Sequence, residues 1–234
     1  MTLQLIAFYT ETTGVNKWDD FVQIAAHGKD FRYDSLALPK VIVNPEAVKV
    51  HGYTYERLQQ LGARPSTEVA REFAEALNTT NLLLCGHNLQ FDLKITDQHP
   101  ELSFLRRAPS ICTYHAALRM LPELESHKLE SVFAHLCPDA VADTKPHDAY
   151  SDARCSYLIA CLLAASANMD VKAFAAWMSE PQELEKWPNG PKRGVRIADL
   201  DSGYLRWALT KDFPPDVAHS CRKELDRRAF GGDK

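Results

Sequence analysis

The stretch Phe8-Tyr9-Thr10-Glu11-Thr12-Thr13-Gly14 decides the fold of this chain. It continues the apolar run from Leu3 to Phe8, which predicts a first β-strand. Glu11 then lies at the end of that strand, where side chains project into a crevice beyond the carboxyl edge of the sheet. Glu11 alone could equally be a surface residue in a turn. The stretch therefore marks one candidate site and needs support from elsewhere in the chain.

A second polar stretch, Gly86-His87-Asn88-Leu89-Gln90-Phe91-Asp92, directly follows a buried strand predicted over Leu82 to Cys85. Asp92 falls one turn into the following helix and can face the same crevice as Glu11. A structural interpretation is also open, in which Asn88 caps the helix and Asp92 is a first-turn carboxylate favoured by the helix dipole.

A third polar stretch, His147-Asp148-Ala149-Tyr150-Ser151-Asp152-Ala153, opens an alanine-rich helix predicted over residues 149–167. His147 lies just ahead of this helix and Asp152 lies within its first turns. Both side chains could therefore point at one site.

The remaining pattern predicts an α/β protein with a mixed sheet of about five strands flanked by helices. The chain opens as a β-meander. Further strands are expected at 21–27, 38–43 and 111–113, and further helices at 54–61, 66–78, from 89 onwards, 114–120, 128–136 and within 169–186.

Charge is unevenly distributed along the 234 residues, whose net charge is −4. Residues 186–234 hold 11 Lys and Arg against 7 Asp and Glu, so the preceding residues carry a balance of −8. The six cysteines form no CxxC pair, which favours reduced thiols over a disulfide framework or a zinc site. No stretch approaches membrane-spanning length, and the start of the chain lacks the pattern of a signal peptide. A cytoplasmic protein without a membrane partner is expected.

Together and in this order, the three stretches resemble the motifs of the DnaQ-like 3′→5′ exonucleases of the DEDDh branch. Their first motif reads Asp, any residue, Glu, Thr, Thr, Gly, and Tyr9 occupies the Asp position here. Two connecting elements also resemble that family, namely Val50-His51-Gly52-Tyr53-Thr54 and Ser126-His127-Lys128-Leu129. The resemblance covers about residues 3–167 and implies a ribonuclease H-like fold.

The resemblance implies hydrolysis of phosphodiester bonds by two Mg²⁺ or Mn²⁺ ions, which prefer carboxylate oxygens as ligands. Glu11 and Asp152 would hold the metal that activates water, and Asp92 would help to hold the second. His147 would act as general base, for which a side chain with a pKa near neutrality is suited. Five further residues are expected to bind substrate: Thr12, Thr13, His51, Asn88 and Phe91.

The end of the chain, from Gly194 to Trp207, resembles the C-terminal element of the exodeoxyribonuclease X family. Tyr204 and Trp207 are at helical spacing and could simply pack in a core. Alternatively, this segment could form a basic flap in which nearby cations bind backbone phosphates or the aromatic rings stack on bases, of DNA or of RNA, which shares these contacts. Those cations are Lys192, Arg193, Arg196 and Arg206. The expected organisation is an exonuclease domain over 1–168, a helix and linker over 169–186, and a small, helical, basic extension over 187–234.

Tyr9 opens three functional hypotheses, because a neutral phenol supplies neither the charge nor the paired oxygens of the bridging carboxylate. The chain could be an impaired exonuclease acting on single-stranded or frayed 3′ ends of DNA. It could be an inactive relative that binds nucleic-acid ends or a protein partner. It could also be a phosphodiesterase for short oligonucleotides. Asp19, Asp20 and Asp148 are candidate stand-ins for the missing acid.

Overall fold

The computed structural model describes residues 3–77 and 81–230. The chain forms two compact units, residues 1–175 and residues 176–234. The undescribed positions include residue 78, the last of one predicted helix, and the outer ends of the first and last predicted domains. These parts of the predictions lie outside the described residues.

The first unit contains a mixed six-stranded sheet with the strand order β4-β3-β2-β1-β5-β6. The first three strands form the predicted antiparallel meander, and β1 then pairs in parallel with β5, as β5 does with β6. The predicted α/β class and mixed sheet are confirmed. The strands are β1 (Gln4–Thr12), β2 (Phe21–Gly28), β3 (Phe31–Leu38), β4 (Arg64–Pro65), β5 (Leu82–Gly86) and β6 (Ser110–Cys112).

Two predictions about strands were wrong. The sheet has six strands instead of five, because β4 contains only two residues and is too short to leave a sequence pattern. The third strand was predicted over 38–43 from its apolar residues, but β3 covers Phe31–Leu38. A tight turn after Gly28 pairs Gly28 with Phe31. The residues that pair with β2 are therefore the more polar ones directly after this turn, and not the apolar ones that follow them. The apolar segment instead remains irregular, and Ile42 is 91% exposed.

Ten α-helices are described in the two stretches of chain, and seven of them correspond to predicted helices to within a few residues. The helix at residues 45–51 was not predicted, and the helices at 202–208 and 215–230 lie in the tail, for which no helix bounds were predicted. The ten helices are α1 (Pro45–His51), α2 (Tyr55–Gln60), α3 (Ser66–Ala76), α4 (Leu89–Thr96), α5 (Thr113–Met120), α6 (Leu129–Leu136), α7 (Ala149–Ser166), α8 (Val171–Ser179), α9 (Ser202–Ala208) and α10 (Pro215–Phe230). No single described helix is both long and apolar enough to cross a membrane. Helices α7 and α8 pass that test only as a pair, across a bend of 87°.

Helices cover both faces of the sheet in the first unit. On one face, Phe8 of β1 packs against Phe73 of α3, with 6.3 Å between the ring centroids. On the other face, α7 lies across β1 and β2. Fully buried alanines such as Ala25 and Ala153 occur on both sides of this contact. Small side chains allow a close approach, so the start of α7 lies near the end of β1.

The second unit has its own small core built around Trp187. Trp187 is 2% exposed, and its ring contacts Tyr204 and Phe213 at centroid distances of 5.0 and 5.2 Å. Tyr204 is therefore a packing residue, as one of the two alternatives for it predicted. Trp207 extends the aromatic cluster outwards and is 45% exposed.

Asp20 anchors the loop between β1 and β2 and is buried together with His99. Its carboxylate accepts hydrogen bonds from the backbone N–H groups of Phe21 and Lys40, both at 2.9 Å, and from the Ser66 hydroxyl at 2.7 Å. His99 Nε2 lies 2.7 Å from Oδ1. Burial acts to raise the pKa of Asp20. The hydrogen bonds to its carboxylate, of which that from His99 has the largest effect, outweigh burial and lower the pKa.

Replacing this buried carboxylate should therefore destabilise the protein strongly. We expect Asp20→Ala to lower the free energy of unfolding by about 3–5 kcal/mol, because it leaves buried donors without an acceptor. Urea denaturation at neutral pH measures the change. The difference from wild type should shrink below pH about 4, because a group with a lowered pKa loses its contribution as the carboxylate becomes protonated. Asp30→Ala, at an exposed turn, is the control; an equal loss of stability in both variants would contradict the prediction.

Candidate active site

Strand β1 brings Tyr9 and Glu11 to the same face of the sheet, because alternate side chains of a strand share a face. A β-bulge interrupts the pairing with β2 between Glu11 and Thr12. Bulges of this kind re-aim side chains where a strand ends. Glu11 is buried, and its Oε1 atom makes no hydrogen bond within the described chain. Tyr9 is half-buried.

Asp92 is fixed to the same strand by hydrogen bonds. Its Oδ1 atom accepts from the backbone N–H and from the hydroxyl of Thr10, both at 2.8 Å. The preceding Asn88 adopts a left-handed conformation with φ of 65°. Asn88 occupies the N-cap position of α4, and Asp92 lies in its first turn, but the exposed Asn88 side chain makes no capping hydrogen bond. Phe91 is half-buried against the core of the first unit.

The start of α7 is held by both a cap and the sheet. Asp148 caps the helix by accepting a hydrogen bond from the Ser151 N–H at 3.1 Å. Gln23 of β2, which pairs with Glu11 across the strands, accepts from the Ala149 N–H at 3.1 Å. The helix N-terminus is therefore tied to the strand position beside Glu11.

These elements bring three of the predicted site residues together. Glu11, His147 and Asp152 each offer one ligand atom, and these atoms all lie within 4.8 Å of one another. Glu11 and Asp152 are buried, whereas His147 is exposed and adopts a left-handed conformation with φ of 60° just ahead of α7. The two oxygen donors and the unpaired Glu11 Oε1 suit a hard divalent cation.

The carboxylates of the site are held close together with little solvation. Burial raises the pKa of Glu11 to about 8, and the charges of Asp152, Asp92 and Asp148 add to the effect. Burial likewise raises the pKa of Asp92 and of Asp152 to about 7. A divalent cation would relieve this repulsion. The arrangement thus satisfies the electrostatic condition for a metal site.

Tyr9 lies within this group of acids. Burial raises the pKa of its hydroxyl well above the usual value, and the charges of Asp92, Asp152 and Glu11 raise it further. The phenol therefore stays neutral at physiological pH. It brings no negative charge to this group of acids.

Glu130 is a further acid near the site that the sequence analysis missed. It lies in the first turn of α6, and its charge raises the pKa of Asp152 after the larger effect of burial. It also acts on Tyr9. The sequence offered a signal, since Glu130 directly follows the recognised Ser126-to-Leu129 element. His127 of that element accepts a hydrogen bond from His87 Nε2 through its carbonyl at 2.8 Å.

The acids considered as stand-ins for the missing carboxylate are engaged elsewhere. Asp19 accepts hydrogen bonds from the Thr13 hydroxyl at 3.0 Å and from the Asn16 N–H at 2.6 Å. Asp20 belongs to the buried loop anchor, and Asp148 is the α7 cap described above. Within the described ranges, these acids are not members of the three-residue cluster.

Among the predicted substrate-binding residues, His51 supports the strand end directly. Its Nδ1 accepts from the Tyr53 N–H at 3.0 Å, so Nε2 carries the proton and donates to the Thr12 carbonyl at 3.1 Å. The Thr12 hydroxyl donates to the Gly14 carbonyl at 2.7 Å. Thr13 is fully buried. These side chains shape the loop at the edge of the site.

The four predicted cationic contacts of the tail lie in the second unit. Lys192, Arg193, Arg196 and Arg206 are all exposed. The Lys192 ammonium lies 6.0 Å from the centroid of the Tyr204 ring. The arrangement combines exposed positive charge with aromatic surface, as in sites that bind single-stranded nucleic acid.

Comparison with known proteins agrees with this geometry. The family model described as exonuclease, RNase_T, matches residues 6–160. The PolC-type DNA polymerase III of Oceanobacillus iheyensis is 27% identical over 163 residues, which is 66% of this chain but only 11% of that polymerase. The whole polymerase is therefore no guide to the role of this chain.

Two solved structures share the fold. Exonuclease X in complex with 5′-overhanging duplex DNA is 18% identical, has a TM-score of 0.55, and covers 74% of this chain and 98% of its own. A zinc-bound complex of Escherichia coli exonuclease I with single-stranded DNA is 15% identical and has a TM-score of 0.63. That match covers 98% of this chain and 68% of the other. With the family match spanning most of the chain, this protein belongs to the RNase_T exonuclease family and has the DnaQ-like fold.

Proposed function

We propose that this protein is a metal-dependent 3′→5′ exonuclease acting on single-stranded or frayed 3′ ends of DNA, with a rate lowered by Tyr9. The observation that carries the proposal is the convergence of Glu11, His147 and Asp152 within 4.8 Å. Asp92 is fixed beside them on the same strand end. Membership of an exonuclease family supports nuclease activity, and the similar solved structures contain DNA.

In this proposal, Glu11 and Asp152 hold a divalent ion such as Mg²⁺ or Mn²⁺, and Asp92 contributes to a second. Such ions activate water and stabilise the charge that develops on phosphate and on the departing oxygen. His147 is exposed and takes a proton from the attacking water. The backbone around Thr12, together with Asn88 and Phe91, borders the space for the terminal nucleotide.

The remaining predicted contacts concern the rest of the substrate. His51 positions the Thr12 carbonyl, and the exposed cations of the second unit would neutralise backbone phosphates. These cations are Lys192, Arg193, Arg196 and Arg206. Contacts to phosphate carry no sequence information, so this exonuclease would act on 3′ ends of any sequence.

Tyr9 also favours a second candidate function, in which the chain binds 3′ ends or a protein partner without cutting. Its neutral hydroxyl lies among Asp92, Asp152 and Glu11, where the family motif has a carboxylate. With one anion fewer, the site binds its second cation more weakly until substrate phosphate arrives. The two candidate functions predict different effects on nuclease activity when Tyr9 is replaced by an acidic residue.

Tyr9→Asp should increase nuclease activity at least about 100-fold, equivalent to about 2.7 kcal/mol of the activation barrier. The reason is that the introduced carboxylate supplies the missing charge and oxygens between the two cations. The measurement is the rate of shortening of 5′-labelled DNA with a 3′ overhang in Mg²⁺ or Mn²⁺, with EDTA as the blank.

Two variants complete this experiment. Tyr9→Asn introduces a similar shape without the charge and should not reproduce the increase. Adding Asp152→Asn to Tyr9→Asp should abolish it. If Tyr9→Asp binds DNA but shortens it no faster than the blank, the non-cutting candidate is correct and the catalytic roles proposed above fail.

The metal-free protein should lose stability as the pH rises from about 6 to about 8. Folded-state pKa values of about 7 for Asp92 and Asp152 and about 8 for Glu11 lie above their unfolded values. The folded state therefore retains protons that the unfolded state releases, and unfolding is favoured as the pH rises. Mg²⁺ should raise the thermal midpoint more at pH 8 than at pH 6, as measured by a thermal shift series.

Glu11→Gln isolates the contribution of the site. This variant should show a flatter pH dependence and a smaller shift with Mg²⁺ than the wild type. Glu75→Gln, an exposed change of the same kind on α3, should leave both unchanged. If Glu11→Gln retains the full pH slope and the full Mg²⁺ shift, Glu11 is not part of a cation site.

A further inference from the structure

Helix α7 carries a second group of polar side chains on another side from Asp152. Tyr150, Arg154 and Tyr157 share one helix face, since they are four and three residues apart. Two residues along a helix correspond to about 200° of rotation, so Tyr150 and Asp152 point in nearly opposite directions. His27 of β2 and Arg32 of β3 are cross-strand partners that contact this face. We call these five residues the Arg32–Arg154 cluster.

Tyr150 is the centre of the cluster. The Arg32 guanidinium lies over its ring, 4.1 Å from the centroid. His27 Nδ1 lies 3.1 Å from its hydroxyl, and the His27 ring meets Tyr157 edge-on at 5.1 Å. Stacking fixes the plane of a guanidinium and leaves the N–H donors at its edge available. Arg32 is thus held in place for an acceptor that the described part of the chain does not provide.

The guanidinium group of neither arginine forms an ion pair or a hydrogen bond within the chain as described, residues 3–77 and 81–230. Arg32 is exposed and Arg154 is half-buried. Both guanidinium charges lower the pKa of His27, after the larger effect of burial. Two positive charges therefore lie around a neutral imidazole without a counter-charge in contact.

The neighbouring acids do not fill this role. Asp34, on the same strand as Arg32, accepts a hydrogen bond from the Gln23 side chain at 2.9 Å. Asp30 acts on Tyr157 by its charge but forms no ion pair with Arg32 or Arg154. Residues 1–185 carry a net charge of −8 from their Lys, Arg, Asp and Glu side chains. A pair of unneutralised arginines in such an acidic body is a local site for an anion.

We propose that Arg32, Arg154 and Tyr150 bind phosphate groups of the substrate strand on the 5′ side of its 3′-terminal nucleotides. This inference rests on the proposed function. Gln23 pairs with Glu11, and His27 lies four residues further along β2, a separation of about 13 Å. In a strand that keeps the base stacking of B-DNA, with an axial rise of roughly 3.4 Å per nucleotide, that distance corresponds to about four nucleotides. Terminal nucleotides would occupy the active site, and only a longer strand would reach the cluster.

Phosphate is the anion that fits these groups best. Guanidinium groups donate paired hydrogen bonds to phosphate oxygens, and Arg32 presents its edge from a fixed plane. The Tyr150 hydroxyl can add a third donor when His27 rotates away or changes tautomer. A strand held at both its end and this cluster stays bound between successive cuts. The cluster would therefore increase affinity for long substrates and leave short ones unaffected.

The test compares two 5′-fluorescein oligonucleotides, a trinucleotide and a strand of about 12 nucleotides, by fluorescence anisotropy in Ca²⁺ over a salt series. Arg32→Gln combined with Arg154→Gln should weaken binding of the longer strand about tenfold and leave the trinucleotide unchanged. It should also reduce the slope of log K against log salt by about 1.4, at about 0.7 per phosphate contact. The control combines Arg71→Gln with Arg107→Gln, two exposed arginines with an equal change in charge.

Each outcome decides the proposal. It is overturned if the long strand binds the cluster variant and the control variant equally, or if the trinucleotide is weakened as much as the long strand. Arg32→Lys with Arg154→Lys keeps the charges and should retain most of the salt slope, which separates loss of charge from misfolding. If wild type binds neither oligonucleotide, the proposed function fails together with the cluster. If wild type binds both but the cluster changes nothing, only the cluster proposal fails.

Discussion

The pair of hydrogen bonds from Thr10 to Asp92 Oδ1 connects the central strand to the helix that follows its parallel neighbour. Thr10 points to one face of β1, while Tyr9 and Glu11 point to the other. Fixing Thr10 therefore also fixes the direction in which Glu11 projects. Because β1 pairs with β2 on one side and with β5 on the other, this constraint places the site at the centre of the sheet.

Holding several carboxylates close together lowers the stability of the fold, and other contacts in the first unit offset this loss. Glu11, Asp92 and Asp152 are all nearly excluded from water, so their ionised forms repel one another with little screening. The loop anchor at Asp20 and the link from Gln23 to α7 keep the elements in place despite that repulsion. Tyr9 adds no charge to this group, because its phenol stays neutral. Under the proposed function, that neutrality weakens the attraction of the site for cations.

Helix α7 has two separate chemical faces. One side carries Asp152 towards Glu11, and another side carries Tyr150 and Arg154 towards His27 of β2 and Arg32 of β3. Both depend on the alanine-rich contact that seats the helix closely on the sheet. One helix can thus support the proposed chemistry at the strand end and the proposed phosphate contacts further along, with a spacing fixed by β2.

The sequence alone determined the α/β class, the meander, most helices, and the three polar stretches that meet at one edge of the sheet. It could do so because apolar periodicity and the order of short motifs are local properties of the chain. Tertiary structure decided what depends on neighbours distant in sequence. Backbone pairing after a tight turn placed β3 over Phe31–Leu38 instead of the more apolar residues that follow. Packing of α6 placed Glu130 near the site. Asp20 became a buried acceptor of hydrogen bonds, including one from His99. Pairing of β3 with β2 placed the Arg32 guanidinium over the Tyr150 ring. No pattern within one segment reveals such contacts, because each is made between residues that only the folded chain brings together.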